Sequence, residues 1–295
     1  MTPLGHRMDM QPRVSSSRDG GGLGMSNTLS RFAYVDAART TAQSFVDLVC
    51  SIDNPDISLS RRSTWTVAEC VGHVASEPAR YLDLASGAAA WPSRPSDLKD
   101  IYAKQIANLT TRDVRKLADR LLDDLEELLH LVSHFGARVP VMAVEGDRRG
   151  VRADSALGIL IGKMTVHGHD IARAVGTHWD LDPDIAPLVA RGRHQLLPCW
   201  IDHLTEPSPD ATYEVRFRGT DERFVYQFTD GHLEINPGEH ADPDLYVSVK
   251  PAAGVLIGYG RLSPIRALLT GRAMAWGPSP WLATHLVKRF APLDS

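Results

Sequence analysis

The chain has 295 residues, with 32 Lys and Arg against 36 Asp and Glu, giving a net charge of −4. Hydrophobic residues make up 43% and charged residues 23%, which excludes a disordered, collagen-like or disulfide-stapled chain. The acidic balance speaks against a nucleic-acid partner, and the lack of about 18 consecutive apolar residues speaks against a membrane span. The length suggests two domains.

Three cysteines, Cys50, Cys70 and Cys199, lie far apart without CxxC spacing, as expected of a reducing cytoplasm. Residues 1–26 are small and polar with no apolar core, so they read as a disordered extension rather than a secretory signal. From Asn27 to Cys50, Phe32, Val35, Ala38, Ala42, Phe45, Val46 and Val49 recur at threes and fours, the stripe of an amphipathic helix. A second helix is predicted from residues 64–66 to about Leu84, opened by a capping box in which Glu69 follows Thr66 by three. Residues 87–95 read as a loop. Residues 112–135 carry the clearest stripe (Leu117, Leu121, Leu122, Leu125, Leu128, Leu129 and Val132), and further helices are predicted over 155–175, ended by Gly176, and over 184–204. This part reads as a bundle of four or five helices.

After Pro207-Ser208-Pro209 the period changes to two. Tyr213, Val215 and Phe217 alternate with Glu214, Arg216 and Arg218; Phe224, Tyr226 and Phe228 alternate likewise, and Asp230-Gly231 marks a hairpin turn. About four short strands, ending with 233–235 and 245–249, precede helical segments at 252–259, 264–269 and 281–290. The fold class expected is α+β: a disordered 1–26, a helical bundle over 27–205, and a small α+β domain with an antiparallel sheet over 210–295.

Several side chains could carry chemistry. Lys163, His167, Asp170 and Ala174 share one helix face, while His169 points about 200° away from His167. Polar groups on a buried face need a partner, a ligand or a cavity. His73 taken alone reads as a core histidine, His130 and His134 as a half-exposed structural pair, and Cys70 as a small apolar residue rather than a nucleophile.

WTVAECVGH (65–73) followed by VHGHDIARAVG (166–176) resembles the mycothiol-dependent maleylpyruvate isomerase family of DinB/YfiT-like metal-binding bundles, which includes thiol S-transferases. LIGYGRLSPIRALLTGRAMAWG (256–277) looks like the sterol-carrier-like domain that follows the bundle in many actinobacterial members. The resemblance implies a divalent metal, usually zinc, held by a histidine matching His73, by a carboxylate or histidine four residues before the last ligand, and by a histidine matching His167. The middle position here is Lys163, a donor with no lone pair while protonated. Three outcomes stay open: the Lys163 ammonium replaces the metal in activating the thiol, with His167 or His73 accepting the proton; the site is rebuilt for binding only; or a weak metal persists on His73 and His167, with Asp170 behind them. Glu69, one turn before His73, is the nearest acid in sequence. The resemblance further implies an arginine from the second domain, matched to Arg261, gripping mycothiol together with Asp170 and His169; Arg266 reads as solvated.

The main reading is therefore a mycothiol-dependent transferase placing a small thiol on an electrophilic small molecule. The alternatives are a cis-trans isomerase of the maleylpyruvate type and a non-enzymatic binder of an apolar ligand. The partners implied are the thiol and the electrophile.

Overall fold

The computed structural model describes residues 22–60, 64–136, 138–201, 209–236 and 242–290. Six α-helices build the N-terminal part among these residues: α1 (Gly22–Cys50), α2 (Val67–Ser86), α3 (Leu98–Ala107), α4 (Val114–Ser133), α5 (Ala153–Val175) and α6 (Ile185–His194). α1 lies against α4 and α5, α2 against α4 and α5, and α6 against α5. The stripes read from sequence point inward: Ala38, Ala42, Phe45, Leu121, Leu128, Leu129 and Leu160 are fully buried.

Local chemistry sets the helix ends. The capping box of α2 forms, with Glu69 N donating to Thr66 Oγ1 at 3.2 Å and Thr66 N donating to Glu69 Oε2 at 3.0 Å. Asp113 caps α4 by accepting from the backbone of Arg115 and Lys116. Gly176 ends α5 with φ 76°, the left-handed cap that favours glycine.

Four expectations for this part are corrected. α1 begins at Gly22, so residues 22–26 are helical; the rest of the expected extension, 1–21, lies outside the described residues. α3 falls in a stretch whose few apolar positions make too short a stripe to read. A hairpin, β1 (Val141–Val144) with β2 (Asp147–Arg152), interrupts the bundle; its second strand, DRRGVR, lacks alternation, which hides it. The helix expected to reach 204 stops at His194, because Pro198 disfavours helical backbone just before it and the chain turns into a short 3₁₀ segment, Leu197–Cys199.

The C-terminal part is a five-stranded sheet in the order β5-β4-β3-β6-β7: β3 (Ala211–Phe217), β4 (Arg223–Thr229), β5 (His232–Ile235), β6 (Leu245–Val249) and β7 (Ala273–Trp276). Asp230 (φ 51°) and Gly231 (φ 78°) make the tight turn between β4 and β5, as that dipeptide demands. The sheet is mostly antiparallel rather than wholly so. After β5 the chain returns to lie beside β3, so β6 runs parallel to it with Val215 opposite Val247. β7 is the strand that the sequence reading missed, and the helix expected over 281–290 is two 3₁₀ turns. α7 (Pro251–Gly258) and α8 (Pro264–Leu269) lie where expected. The expected boundary at 205–210 falls largely outside the described residues.

The two parts meet along α5. At Gly158 a Cβ would stand 2.2 Å from the Leu188 carbonyl oxygen, so α6 can seat there only on a glycine. Gly162 admits the Tyr259 ring, whose hydroxyl donates to the Ile159 carbonyl at 3.3 Å. No helix among the described residues is long and apolar enough to cross a membrane.

Candidate functional site

Two helices supply the buried polar groups. α2 carries His73 and Glu77 one turn apart, both 0% exposed; α5 carries Lys163 and His167, each 5% exposed. α3 crosses beside them and adds Tyr102 and Gln105. Trp65, just before α2, stacks its ring 5.2 Å from that of His73 and 6.3 Å from that of His167.

These groups form one network. Lys163 Nζ donates to Glu77 Oε2 at 2.5 Å and to the Tyr102 hydroxyl at 2.9 Å. Gln105 Nε2 donates to Glu77 Oε1 at 2.8 Å, and Arg80 Nε reaches the same oxygen at 3.4 Å. A carboxylate only accepts, so the Gln105 amide must turn its carbonyl toward His73, whose Nδ1 lies 2.8 Å away. His73 Nδ1 is therefore the protonated nitrogen and Nε2 holds the lone pair. Among the described residues, His73 Nε2 and His167 Nδ1 are both buried without a hydrogen-bond partner, and the two rings stand edge to face with centroids 5.1 Å apart.

Burial, reinforced by the Lys163 charge, pushes the His73 imidazole down to about 4. Burial likewise pulls His167 well below its ordinary value, with His73, Arg261 and Lys163 pressing the same way. Both rings are neutral at pH 7. Burial opposes the charge on Glu77, yet Arg80, Lys163 and His73 outweigh it and hold the carboxyl well below the usual range. Burial lowers Lys163 to about 8 although Glu77 favours its charge. The result is a buried ion pair beside two neutral imidazoles, each with an unpartnered ring nitrogen.

The C-terminal part closes the site. Arg261, just past α7, donates from Nε and Nη2 to Asp170 Oδ2 at 2.9 and 2.8 Å and from Nη1 to the Tyr259 carbonyl at 2.9 Å. A cavity of about 40 Å³, bordered by Lys163, His167, Tyr102, Tyr259 and Arg261, lies where the two parts meet. It is roomy enough for a water but not for a sugar-bearing thiol, so a larger ligand must open it.

Of the residues singled out in sequence, the structure brings together His73, Lys163, His167, Asp170 and Arg261. His169 is half-buried on another side of α5, and among the described residues no hydrogen bond or ring contact ties it to the cluster. Glu69 serves the cap of α2 instead of the pocket. Cys70 is fully buried and its thiol pushed far up by burial, which suits an inert core residue. His130 and His134 are exposed and stack on each other at 4.1 Å. Glu77, Gln105, Tyr102 and Arg80 were missed. Glu77 carried a signal, since it follows His73 by four on the same predicted helix. Tyr102 and Gln105 could not be reached without α3.

A zinc ion does not fit the residues present. His73 Nε2 and His167 Nδ1 are suitable donors, but the third position holds an ammonium, and Glu77 is already bound by Lys163, Gln105 and Arg80. Among the described residues no group of three His, Cys, Asp or Glu side chains is placed to hold a metal, whereas such sites normally have at least three protein ligands.

Comparison with known proteins agrees with this architecture. The crystal structure of a mycothiol-dependent maleylpyruvate isomerase superposes with a TM-score of 0.50 at 17% identity, covering 79% of this chain and 90% of that one. A histidine-to-alanine mutant of a mycothiol-dependent maleylpyruvate isomerase gives a TM-score of 0.50 at 15% identity over the same shares. At such identities the likeness is one of fold. No curated protein matches the chain. The family model described as the mycothiol maleylpyruvate isomerase N-terminal domain matches residues 40–172, the span that carries α2, α3 and α5 and with them His73, Glu77, Lys163 and His167, so the helical part of the chain is similar to that domain.

Proposed function

We propose that the protein is a thiol-dependent enzyme that uses mycothiol as co-substrate to isomerise an unsaturated acid of the maleylpyruvate kind. The family and the superposed structures carry the isomerase name, which favours this over the transferase expected from sequence. The observation that carries the chemistry is the pair of buried, unpartnered ring nitrogens, His73 Nε2 and His167 Nδ1, beside the Lys163 ammonium. In this reading the thiol S–H gives its proton to His73 Nε2. The thiolate, held by the Lys163 charge, bonds to one carbon of the double bond, and the displaced electron pair moves into the conjugated carbonyl. Rotation about the resulting single bond and expulsion of the thiolate restore the double bond in the other geometry, and the proton returns to sulfur. Neutral imidazole suits the first step because only the unprotonated ring can accept. Lys163 supplies electrostatic stabilisation that the family resemblance assigns to a metal, and no step passes through zinc. Arg261, held by Asp170 at the edge of the smaller cavity, brings a guanidinium charge toward a ligand carboxylate or the thiol's polar body.

Transfer of mycothiol to an electrophile is the second reading, favoured by the presence of Lys163 where the resemblance expects a ligand. Both share the opening attack. The reading also takes residues 210–295 as a sterol-carrier-like domain, supported by the change from helix to strand at Ala211, and a reducing cytoplasm as the compartment.

The test is calorimetric titration of mycothiol into chelator-treated protein with and without zinc, followed by assay with maleylpyruvate. Saturable binding and turnover without zinc are expected, and His73→Ala should lower kcat by about 10²-fold or more. Binding only with zinc would overturn the metal-free mechanism, and no thiol binding in either state would overturn the function.

A further inference from the structure

Lys163 places a primary amine inside the protein, buried in the bundle and bordering the small cavity. An ammonium has three N–H bonds. Among the described residues Nζ has two acceptors, Glu77 Oε2 and the Tyr102 hydroxyl, which leaves one N–H direction for a molecule in that cavity. α5 holds the amine one turn before His167, and Arg261 brings a guanidinium to the same cavity.

Two neighbours suit this nitrogen to covalent chemistry. An amine attacks a carbonyl carbon only after shedding a proton. Burial lowers Lys163 to about 8, with Glu77 opposing and Arg80 assisting, so at pH 7.5 the free amine is a sizeable fraction instead of about one part in a thousand. Burial also pushes the Tyr102 phenol far up. Its hydroxyl therefore keeps its proton beside Nζ and is placed to pass it to a carbonyl oxygen.

We propose that Lys163 forms an imine with the ketone of a 2-oxo acid whose carboxylate lies toward Arg261. The Nζ lone pair bonds to the carbonyl carbon, and the carbonyl electron pair moves to oxygen, which takes a proton. The carbinolamine then loses that oxygen as water, which carries away the two hydrogens that the ammonium gave up. A protonated imine remains. Net charge is the same before and after, so Glu77, which balances the ammonium, balances the iminium equally. The guanidinium fork suits a planar carboxylate, and a simple ketone gives it nothing to hold. The pocket must widen to admit the acid, as it must for the thiol. The proposal rests on the isomerase reading only in using the same pocket. No thiol enters the step, and the iminium keeps the positive charge that the isomerase reading places at Lys163.

The test is reductive trapping of the full chain at pH 7.5 with pyruvate and sodium cyanoborohydride, without thiol, read by intact mass and peptide mapping. The reagent's hydride reduces the C=N bond to a stable secondary amine. One adduct per chain is expected, with the mass of pyruvic acid less one oxygen atom, on the peptide that carries Lys163. Methyl pyruvate keeps the ketone without the charge and should label Lys163 at least about tenfold more slowly. Lys163→Arg keeps a cation beside Glu77 but forms no imine, so its adduct should vanish. No adduct on the native protein, label only on other lysines, equal labelling by the ester, or undiminished label in Lys163→Arg would each overturn the proposal. Should Lys163→Arg fail to fold by circular dichroism, the peptide map of the native protein decides. Because no thiol is present, the isomerase reading stands or falls separately, on the mycothiol titration.

Discussion

The bundle pocket and the C-terminal cavity handle buried charge in opposite ways. In the bundle, Lys163 meets Glu77, and Glu77 meets Arg80 and Gln105, so each ion is paired or hydrogen-bonded in about 40 Å³ of free space. In the C-terminal part, about 490 Å³ of mostly apolar space between α6, α7 and the sheet carries the Arg193 guanidinium, which lies over the Tyr259 ring and has no anionic partner among the described residues. The contrast teaches what a partner does for a buried charge. A paired ion holds its neighbours in place before any ligand comes; an unpaired one costs stability that its removal returns.

The largest expected effect breaks the bundle pair. Glu77→Gln leaves the Lys163 charge uncompensated and should destabilise the protein by about 3–5 kcal/mol, read from the denaturant midpoint. Glu77→Leu combined with Lys163→Met should recover most of that loss, because both charges leave together; equal loss in the double variant would mean that packing, not charge, holds the pocket.

Acid comes next and tests whether the neutral histidines behave alike in the two regions. His73, down to about 4, and His194, down to about 3, each refuse a proton that the unfolded chain accepts near 6.5. Unfolding therefore takes up protons as the pH falls from about 6.5, and stability should drop by roughly 1.4 kcal/mol per pH unit for each ring until its folded value is reached. His73→Gln should remove the His73 share of that slope and leave the shares of His167 and His194. A slope unchanged in His73→Gln would show that His73 is not buried neutral.

Two smaller effects sharpen the comparison. Thr66→Ala removes the cap of α2 and should cost about 1 kcal/mol, lowering Tm by a few degrees without altering the charge network. Arg193→Met deletes a charge with no partner and should leave stability unchanged or raise it by up to about 1 kcal/mol, opposite in sign to Glu77→Gln. A marked fall in Tm for Arg193→Met would mean that its stacking on Tyr259 outweighs its desolvation.

Much of this architecture was legible in the sequence because the information is periodic and local. The Leu-rich stripe of α4, the Thr66–Glu69 box, Gly176 at the end of α5 and Asp230-Gly231 between two strands each act within a few residues. The same spacing placed Lys163, His167 and Asp170 on one face of α5. Segments whose patterns are short or unalternating escaped it: α3 has too few apolar positions, and β2 has Val151 alone among Arg, Asp and Gly.

What only the tertiary structure decided is which buried group answers which. Lys163 could be read as a ligand lost, but Glu77, 86 positions away in the chain, makes it one half of an ion pair. Gln105, carried in by a helix that the pattern did not reveal, sets which nitrogen of His73 holds the proton. The parallel pairing of β3 with β6 and the empty partner position of Arg193 arise the same way. A helix stripe records that a side chain is buried; the desolvation it suffers and the partner that offsets it belong to other segments, and only folding brings those within a hydrogen bond's reach.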